Sequence, residues 1–157
     1  MAILRRMDGE IIAQDDGKTV RQLVTEHKDD LERADLHWQD LHGLDLAGVD
    51  LKDADLTEAT LKGAHLDGAN LERTNLCDAD ATEASFRGAD LAGAYLTFAI
   101  LYGANLDDAY RVDDYGNRVA VTAADFAGAY LAGATLPAPV PHADGPAPDG
   151  PTPGMGI

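Results

Sequence analysis

The sequence has little cysteine, few aromatic residues and no long apolar stretch. Among its 157 residues are one Cys, one Trp, five Tyr and three Phe. With only Cys77 present, a disulfide within the chain is excluded, which suits a reducing compartment. No segment approaches the roughly 18 apolar residues of a membrane span, and no apolar region follows Arg5 and Arg6 as in a signal peptide. We therefore expect a cytoplasmic protein, or part of an assembly formed there, that does not enter a membrane.

Basic residues are also scarce. The chain has 12 Lys and Arg against 28 Asp and Glu, a formal net charge of −16. Residues 31–136 carry 7 basic and 19 acidic side chains, hence −12 of that charge. Such a surface repels nucleic acid and anionic membranes and attracts a basic partner. The alternative is that water-facing positions need only polarity, which aspartate supplies.

Clusters typical of catalytic or metal sites are missing. No serine, cysteine or histidine grouping suggests a nucleophile with its base, and the five histidines lack metal-ligand spacing. We expect neither an enzyme nor a cofactor or metal.

Proline is absent before residue 137. All seven prolines lie in residues 137–157, together with several glycines. This composition is typical of a disordered or polyproline-II strap. We assign residues 137–157 as a tail that a partner could order.

The dominant feature of the chain is a leucine or phenylalanine at every fifth residue from Leu31 to Leu106. It holds at 15 of 16 positions, Ala81 being the exception, and it resumes at Phe126. In an α-helix five residues advance about 500°, so these side chains would spiral over the whole surface. The recurring glycines would each cost roughly 1 kcal/mol inside a helix. A long helix is therefore excluded.

The repeated unit instead reads as a very short strand and a corner. Alanine stands two residues before the apolar site at 11 of the 16 positions, so Ala and Leu point inward and the residue between them outward. That outward residue is mostly Asp, Asn, Thr or Ser, which can bond to turn backbone. Coils stacked about 4.8 Å apart would give such units a common core. The predicted core includes Leu36, Leu56, Leu76, Phe86, Leu96 and Leu106.

Units such as Ala54-Asp55-Leu56 and Ala104-Asn105-Leu106 resemble the A-(D/N)-L-x-x motif of the pentapeptide-repeat family. The likeness covers residues 31–108 closely and residues 124–136 again. It implies an all-β fold, a right-handed quadrilateral parallel β-helix (a solenoid) with four repeats per coil. It also implies that the segment from Thr19 to His27 is the short helix that often precedes the first coil.

We divide the chain into five segments. Residues 1–30 form an N-terminal cap, with a hairpin around Asp8-Gly9 and a helix from Val20 to about Asp30 capped by Thr19. The β-helix occupies residues 31–109, an excursion residues 110–123, the last repeats residues 124–136 and the tail residues 137–157.

The excursion has two interpretations. Because Leu106 and Phe126 are 20 residues apart, a whole coil, the repeat frame does not separate a degenerate coil from a protruding hairpin. We favour the hairpin, with a strand, turn and strand in residues 111–119. The β-helix then resumes at Val121.

Apolar side chains replace polar ones at outward positions near the C-terminal end. An exposed patch of this kind marks a contact surface, unless the hairpin and tail fold over it as a cap. The candidate interaction patch consists of Tyr95, Phe98, Ile100, Tyr102, Tyr110 and Tyr130.

Two functions are compatible with these features. The first is a non-enzymatic structural or protein–protein interaction module, joined to another protein or to itself through the patch and tail. In the second, the resemblance implies an acidic mimic of duplex DNA that binds a type II topoisomerase such as gyrase and modulates quinolone sensitivity. A rod of about four coils, near 20 Å, a proline-rich end and the apolar patch all fit mimicry poorly. We favour the interaction module, and neither function involves direct binding of nucleic acid.

Overall fold

In the computed structural model, which describes residues 1–138, the chain begins with an antiparallel hairpin. Strand β1 (Ala2–Arg6) pairs with strand β2 (Ile11–Asp15), and Gly9, at φ +89°, turns the chain between them. The other edge of β1 pairs with the short strand β3 (Ala34–Asp35). The hairpin thus extends the first coil by backbone hydrogen bonding.

Helix α1 (Val20–Glu26) follows the hairpin. The Thr19 hydroxyl accepts a hydrogen bond from the Gln22 amide, and the Gln22 side chain accepts one from the Thr19 amide, which completes a capping box. Leu23 and Val24 are buried by the helix. The expected end near Asp30 was too late, because residues Lys28–Asp30 tighten into a 3₁₀ turn after His27 caps α1.

From residue 35 onward the chain winds so that residues twenty apart lie side by side. Twelve parallel bridges, one every fifth residue, run from Asp35↔Asp55 to Asp90↔Tyr110. Between neighbouring levels the Leu36 amide donates to the Asp55 carbonyl at 2.8 Å, and the Asp55 amide donates to the Ala34 carbonyl at 2.9 Å. Four bridges per twenty residues give each coil four sides, with the five-residue unit as one side.

The coil turns at each corner through a left-handed residue. We call the inward leucine position of each repeat the centre. Two residues after each centre, from Leu31 to Leu106, stands a residue with φ between 55° and 67°. A closing bond runs from the amide three residues after the centre back to its carbonyl, as from Ala54 to Leu51 at 3.0 Å. A positive φ at the third turn residue is what a type II turn requires. At Gly48 a Cβ would meet nothing within 4 Å, so glycine relieves backbone strain there rather than crowding.

Where the outward residue before a centre is Asp or Asn, it often supports the same corner. Asp55 Oδ1 accepts the Thr57 amide at 2.9 Å, and Asn105 Oδ1 accepts the Asp107 amide at 2.9 Å. These bonds satisfy turn amides that the ladder leaves without a carbonyl partner. The polar repeat position is therefore part of the turn.

The centres form a continuous apolar core of stacked levels. In the first four levels every centre is at most 7% exposed. The levels are Leu31, Leu36, Leu41 and Leu46; Leu51, Leu56, Leu61 and Leu66; Leu71, Leu76, Ala81 and Phe86; and Leu91, Leu96, Leu101 and Leu106.

Beyond Tyr110 the chain leaves the coil as a hairpin. Strand β4 (Tyr110–Val112) pairs antiparallel with strand β5 (Arg118–Ala120). After it, the bridges join Ile100 to Tyr130 and Asn105 to Thr135, an offset of thirty instead of twenty.

The ten extra residues leave the coil register intact. With the offset of thirty, Val121, which is 2% exposed, lies over Leu91. Phe126, at the end of the 3₁₀ turn Ala123–Phe126, lies over Leu96. The fifth level is thus complete, with Leu131 and Leu136 as its other centres, partly buried against the core. Residues 139–157 of the tail lie outside the described residues, and no helix in residues 1–138 is long and apolar enough to cross a membrane.

Ala81 and Phe86 are neighbouring centres of the third level, and both are buried. The smallest and the largest centre of the first four levels thus share one coil, so we expect their volumes to compensate. Ala81→Leu should lower the free energy of unfolding by about 1–3 kcal/mol through overpacking. Ala81→Leu/Phe86→Leu, which restores four leucines, should recover most of that loss in urea titrations.

Phe86→Leu alone is the control for this pair. It leaves unfilled space and should cost about 1–2 kcal/mol. Strictly additive effects of the two substitutions would contradict the shared volume.

Candidate interaction surface

Apolar side chains cover one region of the fourth and fifth levels. Tyr95, Phe98, Tyr102 and Tyr130 are 59%, 54%, 44% and 48% exposed, and Ile100 is half-buried. At lower levels most of the equivalent positions are polar, as in the bridged series Asp35, Asp55, Asn75 and Tyr95. We call Tyr95, Phe98, Ile100, Tyr102 and Tyr130 the aromatic face.

The aromatic face is held by the coil backbone. Ile100 is bridged to Tyr130, and the rings of Tyr102 and Tyr130 meet edge to face with centroids 6.3 Å apart. The Phe98 amide donates to the Gly128 carbonyl at 2.9 Å. The face is therefore a rigid surface carried by both levels, including the one that follows the hairpin.

Tyr110 does not lie with the other five residues of the predicted patch. It is ten residues from Ile100, half a coil, and its bridge partner Asp90 belongs to the opposite side. The Arg118 guanidinium covers its ring at 3.6 Å from the centroid. Tyr110 thus anchors the base of the hairpin by a cation–π contact.

Trp38 is a candidate that the sequence analysis missed. It is 67% exposed, and its ring lies against that of His37, with centroids 4.8 Å apart and ring planes tilted by 59°. Its position, two residues after the centre Leu36, is the left-handed corner position, where φ is 59°. Tryptophan where other repeats have glycine is a signal that the repeat frame alone would have revealed.

One other corner carries charges that neutralise each other. Arg33 Nη2 lies 2.8 Å from Asp8 Oδ2, and Arg73 holds both oxygens of Asp53 at 2.7 Å. Lys52 Nζ lies 2.6 Å from Glu72 on the same corner. The pairs Asp53–Arg73 and Lys52–Glu72 join opposite charges twenty residues apart, whereas Arg33–Asp8 fastens the N-terminal hairpin to this ladder.

The pKa values follow these contacts. The hydrogen bonds from Arg73 lower the pKa of the Asp53 carboxyl, and the hydrogen bond to Glu72 raises the pKa of Lys52. Next to Trp38, the hydrogen bond to Asp35 raises the pKa of His37. These perturbations come from neighbouring charged groups at the surface.

The hairpin is fastened to the fifth level by an ion pair. Arg111 Nε lies 2.7 Å from Asp125 Oδ1, which adds to the Arg118–Tyr110 contact at the base. At the tip, Asp113 accepts the amides of Tyr115 and Asn117 at 2.9 and 2.8 Å. Tyr115 itself is 90% exposed and lies apart from the aromatic face along the chain.

The repeats identify the family. The model of pentapeptide repeats matches residues 30–68, 54–91 and 69–108, with eight copies. The chain belongs to the pentapeptide-repeat family. The predicted resemblance is thereby confirmed.

Several solved structures are similar to this family member. One is a protein from the Arabidopsis thaliana thylakoid lumen, 32% identical over 64% of this chain and 59% of that one, with a TM-score of 0.49. HetL from the cyanobacterium Nostoc, involved in heterocyst differentiation regulation, is 38% identical over 64% of this chain and 37% of HetL, with a TM-score of 0.40. QnrB1, a plasmid-mediated fluoroquinolone resistance protein, is 18% identical over 65% of this chain and 59% of QnrB1, with a TM-score of 0.23.

The pentapeptide-repeat protein described here spans less than two thirds of each of these relatives. No curated protein matches the sequence.

The ladder makes a prediction about pH. We expect the Asp53 carboxyl of this pentapeptide-repeat protein to titrate below the usual value of about 3.9, and Arg73→Gln to move it upward. A lowered folded pKa contributes stability that is present above about pH 4 and is lost as the pH falls through the folded value. Carbon-detected NMR titration measures the shift.

Arg118→Gln is the matched control for Arg73→Gln. It removes the same charge at the hairpin and should leave the Asp53 titration unchanged. Equal titration of Asp53 in the wild type and in Arg73→Gln would contradict the assigned ion pair.

Proposed function

We propose that this pentapeptide-repeat protein is a non-enzymatic structural or interaction module that docks another protein, or a second copy of itself, on the aromatic face. The supporting observation is that four aromatic side chains, each 44–59% exposed, sit on a rigid two-level backbone. Apolar groups on a fixed surface are typical of protein contacts, because no ordering of the backbone has to accompany binding.

We infer that the coils wind right-handed as a quadrilateral β-helix, as the family resemblance implies. The bridge pattern is the same for either hand, so this inference rests on the family. The cytoplasmic location stays a prediction from the sequence.

The hypothesis of a DNA mimic that binds a topoisomerase has less support than the interaction module. The ladder at Arg33, Asp53 and Arg73 neutralises one corner, and the aromatic face interrupts the acidic surface. Five levels at about 4.8 Å make a rod of only about 24 Å. We therefore keep DNA mimicry as the secondary hypothesis.

Tyr95→Ser/Phe98→Ser tests the proposed docking. Both side chains are more than half exposed, so the melting temperature should change by only a few degrees. A partner retained by the immobilised wild-type protein, or self-association seen by light scattering, should be lost.

Tyr115→Ser is the control, since it removes an exposed tyrosine at the hairpin tip. It should keep both binding and stability. A strong loss of stability in the double variant with unchanged binding would mean that the face is covered within the chain, and the proposal would be wrong.

A further inference from the structure

The aromatic face continues down one corner of the coil to Trp38. The corner positions of successive levels are Trp38, Glu58, Asp78 and Phe98, each exposed and each at positive φ. We call these four residues the tryptophan corner. Each corner is bonded to the level above it. The Trp38 amide donates to the Thr57 carbonyl, the Glu58 amide to the Cys77 carbonyl and the Asp78 amide to the Thr97 carbonyl, all at 3.0 Å.

In the first four levels the tryptophan corner is the one corner without glycine. Each of its residues therefore has a conformation that costs a side-chain-bearing residue about 1 kcal/mol. On the corner of Arg33, Asp53 and Arg73, ion pairs account for the side chains. On the tryptophan corner the described residues 1–138 show no ion pair, and Trp38 has a ring contact with His37.

The carboxylates of the two corners differ in their partners. Asp53 is held by Arg73 at 2.7 Å on both oxygens. Glu58 and Asp78, by contrast, have no basic side chain within 4.0 Å among residues 1–138. These two carboxylates thus lie between an exposed tryptophan and an exposed phenylalanine, and Glu58, after Asp35, contributes to the raised pKa of His37.

The length of the corner sets the size of a ligand. From Trp38 to Phe98 are three level spacings of about 4.8 Å, or roughly 14 Å. Extended polypeptide rises about 3.3 Å per residue, so four to five residues span the corner. Beyond Phe98, the remaining aromatic face offers contact to apolar side chains of the same ligand.

The charge of the chain's own tail argues against the tail as the occupant. Residues 139–157 contain two aspartates and no lysine or arginine, so they share the sign of Glu58 and Asp78. A cationic segment matches both features: arginine forms strong paired hydrogen bonds with carboxylates and stacks favourably on tryptophan.

Building on the proposed interaction function, we propose that the aromatic face and the tryptophan corner dock an extended, arginine-containing segment of a partner protein. The apolar residues of the segment cover Phe98 and its neighbours. Its arginines reach Asp78, Glu58 and the ring of Trp38. Electrostatic complementarity of this kind supplies specificity and a fast association rate.

Fluorescence anisotropy with two six-residue probes tests this proposal on the full chain. One labelled peptide alternates arginine and leucine, and the other has glutamate in place of arginine. We expect the arginine peptide to bind at least about tenfold more tightly, and Glu58→Gln/Asp78→Asn to weaken it about fivefold or more. Phe98→Ser should weaken it as well.

Asp107→Asn/Asp108→Asn is the matched control, since it removes two charges half a coil away from the corner. It should change the affinity less than twofold, and circular dichroism should show all variants folded. Equal binding of the two peptides, or equal weakening by both double substitutions, would overturn the proposal.

The two proposals fail in different ways. If neither peptide binds while Tyr95→Ser/Phe98→Ser still loses its partner, the interaction function stands and the cationic segment is wrong. If the arginine peptide binds as expected while that double variant keeps every partner, the docking function of the aromatic face is wrong.

Discussion

The structure depends on one constraint: every twenty residues the backbone must return to the same position one level higher. The parallel bridges from Asp35↔Asp55 onward satisfy it, and they hold only if each five-residue unit turns one corner. The left-handed residue two after each centre makes that turn. Backbone hydrogen bonds thus fix the surface positions, and the side chains at the corners are free to vary in chemistry.

That freedom gives the corners different side-chain chemistry. Glycine relieves strain at Gly48, and paired charges occupy the corner of Asp53 and Arg73. Trp38 and Phe98 stand exposed in the same strained conformation. A regular fold therefore carries different surfaces on its different corners, and the proposed interaction belongs to the corner and face where exposed apolar groups and carboxylates meet.

Much of this follows from the sequence because the period of five determines which residues point inward. Leu36, Phe86 and their equivalents are buried as the alternation of Ala and Leu requires. The hairpin could not be separated from a degenerate coil because its ten residues equal two repeats, which leaves the leucine frame unbroken. Trp38 could have been found from the five-residue frame, because it occupies the position where other repeats have glycine. The position of Tyr110 on the opposite side follows only from four repeats per coil, which the family resemblance supplies and the five-residue frame does not.

Deletion of residues 111–120 tests the twenty-residue register most directly. Joining Tyr110 to Val121 restores continuous five-residue repeats, so we predict unchanged circular dichroism and a melting temperature within a few degrees of the wild type. Deleting residues 116–125 removes the same length but places Arg111 at a buried centre, and it should melt far lower. Loss of cooperative melting in the first deletion, or equal melting of the two, would contradict the account.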